Sequence, residues 1–337
     1  MDLTLKTLCE LRGPSGWEHP VRKAILEAAR PLCDEVKVDR AGNVICYKKG
    51  TDPERPGVLA AAHMDEVGFI ITGFTDEGLL KFRPIGGIDP RVVVSKWVQV
   101  GEEAVPGVIG AMAIHLQSMD DRRRVLDFKD LYIDIGARDG KEAEKLVPLG
   151  SYATFDTPYE EFGEGYVCAK ALDDRVGCYN LLRLLEGDYP CDLTVCFVTQ
   201  EEVGLRGSRA AAFSNPTPVA LVLEGTAAND LGDVPEQFRV TTLGQGVAVS
   251  FMDLGSIGNR ELYREMLSVA QGAGVPHQVK KGVTGGNDAA SFQRVGEGAR
   301  TLALSVPCRY IHSGASVAKL SDIDAQLRLT QEYLHNA

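Results

Sequence analysis

Charged residues follow short apolar runs at five places in the chain. The segments are Ala62-His63-Met64-Asp65-Glu66, Ala171-Leu172-Asp173-Asp174, Thr199-Gln200-Glu201-Glu202, Leu223-Glu224-Gly225 and Tyr310-Ile311-His312-Ser313. Four of them end a predicted strand, and the Asp173 segment begins a predicted helix. Ligand sites in open α/β sheets form beyond the carboxyl ends of the strands. The pattern therefore predicts that two histidines and several carboxylates meet at one rim of a sheet.

Two histidines with three carboxylates are what a dinuclear metal site requires. Zinc accepts imidazole nitrogen and carboxylate oxygen, and a shared carboxylate can hold two metals ~3.5–4 Å apart. A water between the metals then has its pKa lowered toward ~7 and becomes a nucleophile at neutral pH. We predict two divalent metal ions per subunit, Zn²⁺ or Co²⁺, although manganese suits the same ligands.

The adjacent pair Glu201-Glu202 indicates that two glutamates with different roles lie at the end of one strand. Neighbouring carboxylates repel each other unless a cation or a proton intervenes. Successive strand side chains point in opposite directions, so one can bind metal while the other faces the substrate. We assign Glu202 to the metal. We assign Glu201 to proton transfer from the metal-bridging water to the leaving amine.

Each of these residues also has an ordinary structural explanation. A lone histidine such as His63 is more often hydrogen-bonded inside a core, and Asp174 could cap the helix that follows it. Glu224 alone could pair with a surface arginine. Only the joint pattern of charged residues after successive buried strands makes these explanations improbable.

Composition excludes several classes of protein. The 337 residues are 44% hydrophobic and 25% charged, which is ordinary for a globular protein, and the net charge of −11 argues against a nucleic-acid binder. The first residues do not resemble a signal peptide, and no run approaches the ~18 apolar residues that cross a bilayer. We expect a cytoplasmic protein without a membrane partner. The eight cysteines lack metal-type spacing and are predicted to be reduced core residues.

Predicted helices and buried strands alternate near both ends of the chain, whereas the middle is predicted to consist mainly of short strands. Strands are predicted at 35–38, 43–47, 58–62, 193–199, 219–223, 246–251 and 301–306, and helices at 21–29, 176–185, 206–213, 260–271 and 323–334. Alternation of this kind predicts an α/β fold, a mixed sheet flanked by helices. Between residues 74 and 165 short runs such as Val92–Val100 are broken by glycine and proline. We predict a catalytic domain of residues 1–73 and 166–337 with a small β-rich domain, 74–165, inserted into it.

Taken together, the motifs resemble the tetrahedral (TET) aminopeptidases, which include glutamyl, leucyl and deblocking aminopeptidases and are sometimes labelled endoglucanases. The matching stretches are AHMDEVGF (62–69), IGGIDPRVV (85–93), ALDDRVGCY (171–179), TQEEVGLRGS (199–208), LEGTAAND (223–230), GGNDAASF (285–292) and RYIHS (309–313). They occur in the family's order over nearly the whole chain. The resemblance implies a zinc-exopeptidase-like fold with an inserted β domain.

The resemblance also implies a role for each site residue. Asp173 would bridge both metals. His63 and Glu224 would be the other ligands of one metal, and Glu202 and His312 would be the other ligands of the second metal. Glu201 would be the general base, and Asp65 would orient His63 from behind. The family further implies short peptide substrates and a homo-oligomer built from dimers, up to a dodecamer. Two departures are visible: many members carry aspartate at Glu224, and the usual Gly-Gly-Thr-Asp is Gly285-Gly286-Asn287-Asp288 here.

Three other functions are weighed against an aminopeptidase. A metal-dependent deacylase on the same fold would activate water in the same way on a different amide. A glycoside hydrolase needs two carboxylates ~5–10 Å apart and no metal, which leaves both histidines without a role. A catalytically silent assembly protein would not be expected to keep all five ligands and Glu201.

Overall fold

The computed structural model describes residues 3–337, except for the side chain of Asp121. The strands in this range are β1 (Glu35–Val38), β2 (Val44–Lys48), β3 (Val58–His63), β4 (Gly68–Phe74), β5 (Leu80–Ile85), β6 (Trp97–Val100), β7 (Val105–Gly110), β8 (Tyr132–Asp134), β9 (Tyr152–Phe155), β10 (Glu160–Phe162), β11 (Tyr166–Ala169), β12 (Leu193–Val198), β13 (Val219–Ala227), β14 (Val247–Ser250), β15 (His277–Val279), β16 (Arg300–Cys308) and β17 (Ser316–Lys319). The α-helices are α1 (Leu5–Glu10), α2 (His19–Ala29), α3 (Gly140–Leu146), α4 (Leu172–Leu185), α5 (Arg206–Ser214), α6 (Arg260–Gly272), α7 (Ala289–Arg294) and α8 (Leu320–Asn336).

An eight-stranded mixed sheet forms the centre of the molecule. Its strand order is β1-β2-β12-β3-β13-β16-β14-β15, and the four middle strands β12, β3, β13 and β16 run parallel to one another. Strand β2 is antiparallel to β12, and β14 is antiparallel to β16. The carboxyl ends of the four parallel strands therefore lie along one edge. The predicted α/β fold with a mixed sheet is confirmed.

Helices cover both faces of this sheet because its central strands are apolar on both sides. All six residues of β3 are buried. Ala60 and Ala62 pack in the cluster that contains α4, α6 and α8, whereas Leu59 and Ala61 pack with α5 and α7. Alternate residues of one strand thus contribute to two different cores, as expected for a strand between two helical layers.

A closed barrel interrupts the sheet between β3 and β12. Its strand order is β4-β5-β8-β7-β6-β9, and its core contains Phe69 in edge-on contact with Phe82 and Phe155. Strand β4 begins at Gly68, ahead of the predicted boundary at residue 74. Strand β11 pairs with β10 and with the distant β17 in a small separate sheet. The division of the chain into domains stays a prediction.

Several predicted elements have different bounds in the structure. The run 92–100 is not one strand: a single 3-10 turn covers Pro90–Val92, Ser95 has a φ of 64°, and the strand begins at Trp97. Strand β13 continues to Ala227, so Glu224 lies inside a strand and does not follow one. Strand β4 was absent from the predicted elements, because Gly68 and Gly73 obscure its apolar pattern.

The cysteines and the helix lengths bear on two of the predictions made from the sequence. All eight cysteines are free, and six of them are buried. Among the described residues, no helix has the length and apolar character needed to cross a membrane.

A buried charge cluster joins the first helix to the sheet and to α4. The Glu66 carboxylate accepts hydrogen bonds from Lys170 Nζ at 2.8 Å and from Arg175 Nη2 at 3.3 Å. Arg175 Nε also donates to the Met64 carbonyl at 3.0 Å. All three charged side chains are buried. Glu66 is the anion that compensates two buried cations, so its charge is structural.

We expect Glu66→Gln to lower the free energy of unfolding by about 3–5 kcal/mol, because it leaves two buried cations without their anion. The matched control is Glu142→Gln, which removes one partner of the exposed Arg138–Glu142 pair and should cost at most about 1 kcal/mol. Urea unfolding followed by tryptophan fluorescence measures both. Equal losses in the two variants would contradict the assignment of Glu66 as the compensating anion.

Candidate active site

The five predicted metal ligands converge at the carboxyl edge of the parallel strands. His63 is the last residue of β3, Glu202 follows β12, and Glu224 lies in β13. His312 lies in the turn after β16. Asp173 comes from the start of α4, where Asp173 and Asp174 have non-helical backbone angles. The structure therefore brings together all five side chains that the sequence predicted as metal ligands.

His63 and Glu224 form one half of the site around Asp173. His63 Nε2 is 3.6 Å from Asp173 Oδ1 and 3.7 Å from Glu224 Oε2. His63 and Glu224 are both buried. The three side chains leave their polar atoms facing one another, without a direct hydrogen bond of ordinary length between them.

Glu202 and His312 form the other half. His312 Nε2 is 3.3 Å from Asp173 Oδ2 and 3.4 Å from Glu202 Oε2. Each half thus contains one imidazole nitrogen, one glutamate oxygen and one oxygen of Asp173. Asp173 is the residue that the two halves share.

Both imidazole rings are oriented by an acceptor at Nδ1. His63 Nδ1 is 3.0 Å from the Asp65 carbonyl oxygen and 3.4 Å from Asp65 Oδ1. His312 Nδ1 is 3.0 Å from the Gly87 carbonyl oxygen. An acceptor at Nδ1 holds a proton on that nitrogen and directs Nε2 at the other site residues, where Nε2 can bind a cation after losing its own proton.

Asp65 also fixes the turn that carries the glutamate pair. Its Oδ1 accepts a hydrogen bond from the Glu201 backbone N–H at 3.0 Å, and its Oδ2 accepts one from the Glu202 N–H at 3.2 Å. Ser15 Oγ donates to the same Oδ2 at 2.6 Å. The Asp65 carboxylate therefore links His63 to both glutamates.

Residues near the N-terminus support this turn, and the sequence motifs did not indicate them. Glu18 Oε1 accepts a hydrogen bond from the Gln200 backbone N–H at 3.2 Å, and Gln200 has a φ of 54°. Glu18 is buried. The only signal in the sequence was the Gly13-Pro14-Ser15-Gly16 break, which predicted the end of a helix and no function.

Burial of the carboxylates dominates the electrostatics of the site. It raises the pKa of Glu201 and of Glu224 well above the ordinary glutamate value, and it raises the pKa of Glu202 to about 7. For Asp173, the attraction of the neighbouring His312 and His63 imidazoles outweighs burial and lowers the pKa. Burial lowers the pKa of His312, but the contacts with Asp173 and Glu202 outweigh it and raise that pKa to about 9. A site with such crowded carboxylates gains stability from added positive charge.

Unpartnered oxygens indicate where that charge would be held. Asp173 Oδ1 and Glu224 Oε1 are buried without a hydrogen-bond partner in the part of the chain that the structure describes. His63, Asp173 and Glu202 offer ligand atoms within 4.8 Å of one another, and so do His63, Asp174 and Glu224. We prefer Asp173 to Asp174, because both Asp174 oxygens accept backbone hydrogen bonds, from the His63 N–H at 3.2 Å and the Gly177 N–H at 3.0 Å. The residues present fit a pair of divalent cations.

Asp288 is a further acidic residue at the site that was not assigned a role. Both of its oxygens are buried without a hydrogen-bond partner among the described residues, and burial raises its pKa to about 7. Its charge also contributes to the raised pKa of Glu201. Asp288 is the last residue of the Gly285–Asp288 motif. In the sequence, only the resemblance of this motif to the family's pattern indicated that it lies near the active site.

Comparisons with known proteins agree with the motifs. Residues 42–329 match the family model described as M42 glutamyl aminopeptidase. A protein of Acetivibrio thermocellus named as an aminopeptidase is 34% identical over 97% of this chain and 96% of its own length. The lysyl aminopeptidase of Pyrococcus furiosus is 31% identical over 98% of this chain and 95% of its own.

A solved structure supports the same relationship in three dimensions. The TET1 peptidase of Pyrococcus horikoshii, described as assembling into a tetrahedron or a large octahedral shell, superimposes with a TM-score of 0.87 at 33% identity. The match covers 99% of this chain and 98% of that one. The family match, the sequence identities and the structural superposition all extend over nearly the whole chain. The chain therefore belongs to the M42 glutamyl aminopeptidase family, whose TET members its motifs resemble, and is a hydrolase that acts on peptide bonds.

Proposed function

We propose that this chain is an aminopeptidase that depends on two divalent cations and uses Glu201 as its general base. The observation that carries the proposal is the position of Asp173. Its Oδ1 faces His63 and its Oδ2 faces His312, and each histidine also faces its own glutamate. This is the arrangement in which one carboxylate can serve two cations.

The proposed ligands are His63 and Glu224 on one side, Glu202 and His312 on the other, and Asp173 between them. When bound, two such cations would polarise the substrate carbonyl and lower the pKa of a water molecule toward neutrality. The side chains themselves supply nitrogen and oxygen donors, which suit Zn²⁺ or Co²⁺. Glu224, which stands where many relatives have aspartate, still faces His63 at 3.7 Å.

Glu201 is the proposed proton carrier. Its backbone is fixed by Asp65, and the neighbouring Glu202, not Glu201, contacts His312. A carboxylate held beside the ligands can accept a proton from the attacking water and deliver it to the nitrogen of the leaving amine. Asp65 is the proposed positioning residue, because it contacts both His63 and the Glu201 turn.

Membership of the family supports a proposal about the substrates and the assembly. We propose short peptides with a free N-terminus as substrates and a homo-oligomer as the working form. The tetrahedron or shell described for the Pyrococcus horikoshii relative supports the oligomer. Relatives named for glutamyl and for lysyl specificity both occur, so the family leaves the preferred N-terminal residue open. The cytoplasmic location stays a prediction.

A substrate panel tests the proposed reaction. Protein reconstituted with Zn²⁺ or Co²⁺ should hydrolyse aminoacyl-anilides with a free amine and should lose that activity on chelation, because its buried carboxylates need the cations. N-acyl amino acids and a cellulose-type polymer serve as the comparison substrates. Hydrolysis of N-acyl amino acids alone would favour a deacylase, and chelation-resistant hydrolysis of the polymer would favour a glycoside hydrolase.

Glu201→Gln should reduce kcat by at least about 100-fold, since general-base catalysis typically contributes about 10²–10⁴-fold. It should leave two metals per chain, as measured by inductively coupled plasma mass spectrometry, because Glu201 is not a ligand. Glu202→Gln is the matched control and should lower the metal content. Loss of metal from Glu201→Gln would mean that the roles of the two glutamates are exchanged.

Asp173→Ala and His63→Ala should differ in metal content. Removal of Asp173 takes an oxygen from both halves of the site, so less than one metal should remain per chain. Removal of His63 takes one nitrogen from one half, so about one metal should be retained. Equal metal loss in the two variants would contradict a bridging role for Asp173.

A further inference from the structure

Trp17 lies at the contact between the N-terminal segment and the barrel. Its ring stacks on the ring of Tyr152 in β9, with the two centroids 6.4 Å apart and the planes at 19°. The Arg12 guanidinium lies 5.1 Å from the centroid of the Trp17 ring. It also donates to the carbonyls of Gly101 and Glu102, at the turn between β6 and β7. Arg12 and Trp17 together therefore hold two separate parts of the barrel.

Strand β9 is a firm support for this contact. It pairs with β4 on one side and with β6 on the other. Its last residue, Phe155, is buried in the barrel core in edge-on contact with Phe69. The ring of Tyr152 thus stands at the start of a strand that the barrel fixes on both edges and at its far end.

The residues on either side of Trp17 in the chain support the glutamate turn, residues 200–202. Ser15 Oγ donates to Asp65 Oδ2 at 2.6 Å, and the Asp65 carboxylate accepts the backbone N–H groups at positions 201 and 202. Glu18 Oε1 accepts the N–H at position 200 at 3.2 Å. All three N–H groups of the glutamate turn therefore depend on carboxylates that are in the segment of Trp17 or are bonded to it.

The segment 14–18 is itself a tight turn, so a shift of Trp17 passes to its neighbours. The Trp17 N–H donates to the carbonyl three residues earlier at 2.8 Å. Gly16 has a φ of 93°, and its N–H donates at 2.8 Å to Glu18 Oε1, the same oxygen that holds the glutamate turn. A Cβ atom on Gly16 would lie 2.9 Å from the Tyr152 hydroxyl oxygen. The segment thus has little room to move independently of β9.

The glutamate turn requires outside support because of its backbone conformation. Gln200 has a φ of 54°, a left-handed conformation that is strained for a residue other than glycine. Such a conformation persists only where the surrounding structure fixes it. Without the contact to Glu18, the turn would have a lower-energy backbone available, and the adjacent Glu201 would move with it.

We propose that Trp17 is a positioning residue for Glu201, acting through Ser15 and Glu18 to transmit the position of barrel strand β9 to the glutamate turn. This inference rests on the proposed role of Glu201 as the general base. A general base must lie within hydrogen-bond reach of the proton that it accepts. A small displacement of the turn therefore slows the chemical step and leaves substrate binding nearly unchanged.

Trp97, the other tryptophan of the chain, provides a matched control. It is the first residue of β6, and its side chain is 59% exposed. Replacing either tryptophan by alanine removes one indole ring from the same region of the molecule. Only the ring of Trp17 connects the barrel to the glutamate turn, so only its loss should affect catalysis.

The first experiment measures kcat and KM on an aminoacyl-anilide at saturating Zn²⁺ or Co²⁺. Trp17→Ala should lower kcat by about 10- to 100-fold and change KM less than about 3-fold, since a misplacement of about 1 Å can cost about 100-fold. Trp17→Phe keeps a ring that can stack on Tyr152 and should retain kcat within about 3-fold. Trp97→Ala should leave both constants unchanged.

Tyr152→Ala removes the same contact from the barrel side and carries the same test if Trp17→Ala does not fold. It should give the same loss in kcat, and the double variant should lose no more than either single variant, because both changes break one contact. Multiplied losses, a higher KM at unchanged kcat, or an equal loss in Trp97→Ala would overturn the proposal. A loss in kcat that disappears at higher metal concentration would also overturn it, because Trp17 would then support the ligand Glu202 and not Glu201.

Hydrogen exchange followed by mass spectrometry gives a readout that does not require turnover. Trp17→Ala should raise the exchange rate of the N–H groups at positions 200–202 by about 10-fold, because local opening controls exchange, and leave strand β3 unchanged. Equal acceleration throughout the molecule, or unchanged exchange in the glutamate turn, would overturn the proposal. Absence of turnover on every anilide in the wild type would count against the aminopeptidase function instead, and the exchange rates would still decide the role of Trp17.

Discussion

The Asp173 carboxylate lies between two histidines, and the other features of the site are arranged around that contact. One oxygen faces His63 and the other faces His312. His63 is set by the end of β3, and His312 by the turn after β16, with β13 between these two strands in the sheet. Asp173 lies at the start of α4, which packs on β13 and β3. A displacement of α4 along the sheet would move Asp173 relative to both histidines at once.

This arrangement concentrates negative charge in a buried place. Several carboxylates have raised pKa values because burial disfavours their ionised form, and the two histidines compensate only part of that charge. In most folded proteins such a cluster would be destabilising. Here the surrounding hydrogen bonds hold the carboxylates where cations can offset the repulsion. Binding of the proposed cations would therefore also stabilise the fold.

The sequence predicted the residues of the site better than it predicted the supports around them. His63, Glu202, Glu224 and His312 stand at or near the ends of apolar runs, and runs of this kind form parallel strands whose carboxyl ends meet. Glu18 and Gly87 could not be found in this way, because each acts through one hydrogen bond across a large separation in sequence. The barrel strand Gly68–Phe74 was missed for a different reason. It has glycines where a pattern of alternating apolar residues would reveal a strand.

The carbonyl of Gly87 orients His312 from a loop that follows barrel strand β5. His63, by contrast, is oriented by Asp65, at the end of its own strand. The two histidines also differ in solvent contact, since the side chain of His63 is 1% exposed and that of His312 is 36% exposed. The two halves of the site are therefore unequal in their access to solvent. If the proposed cations bind, the one on the His312 side would exchange with solvent faster, and its residence time would also depend on the loop that carries Gly87.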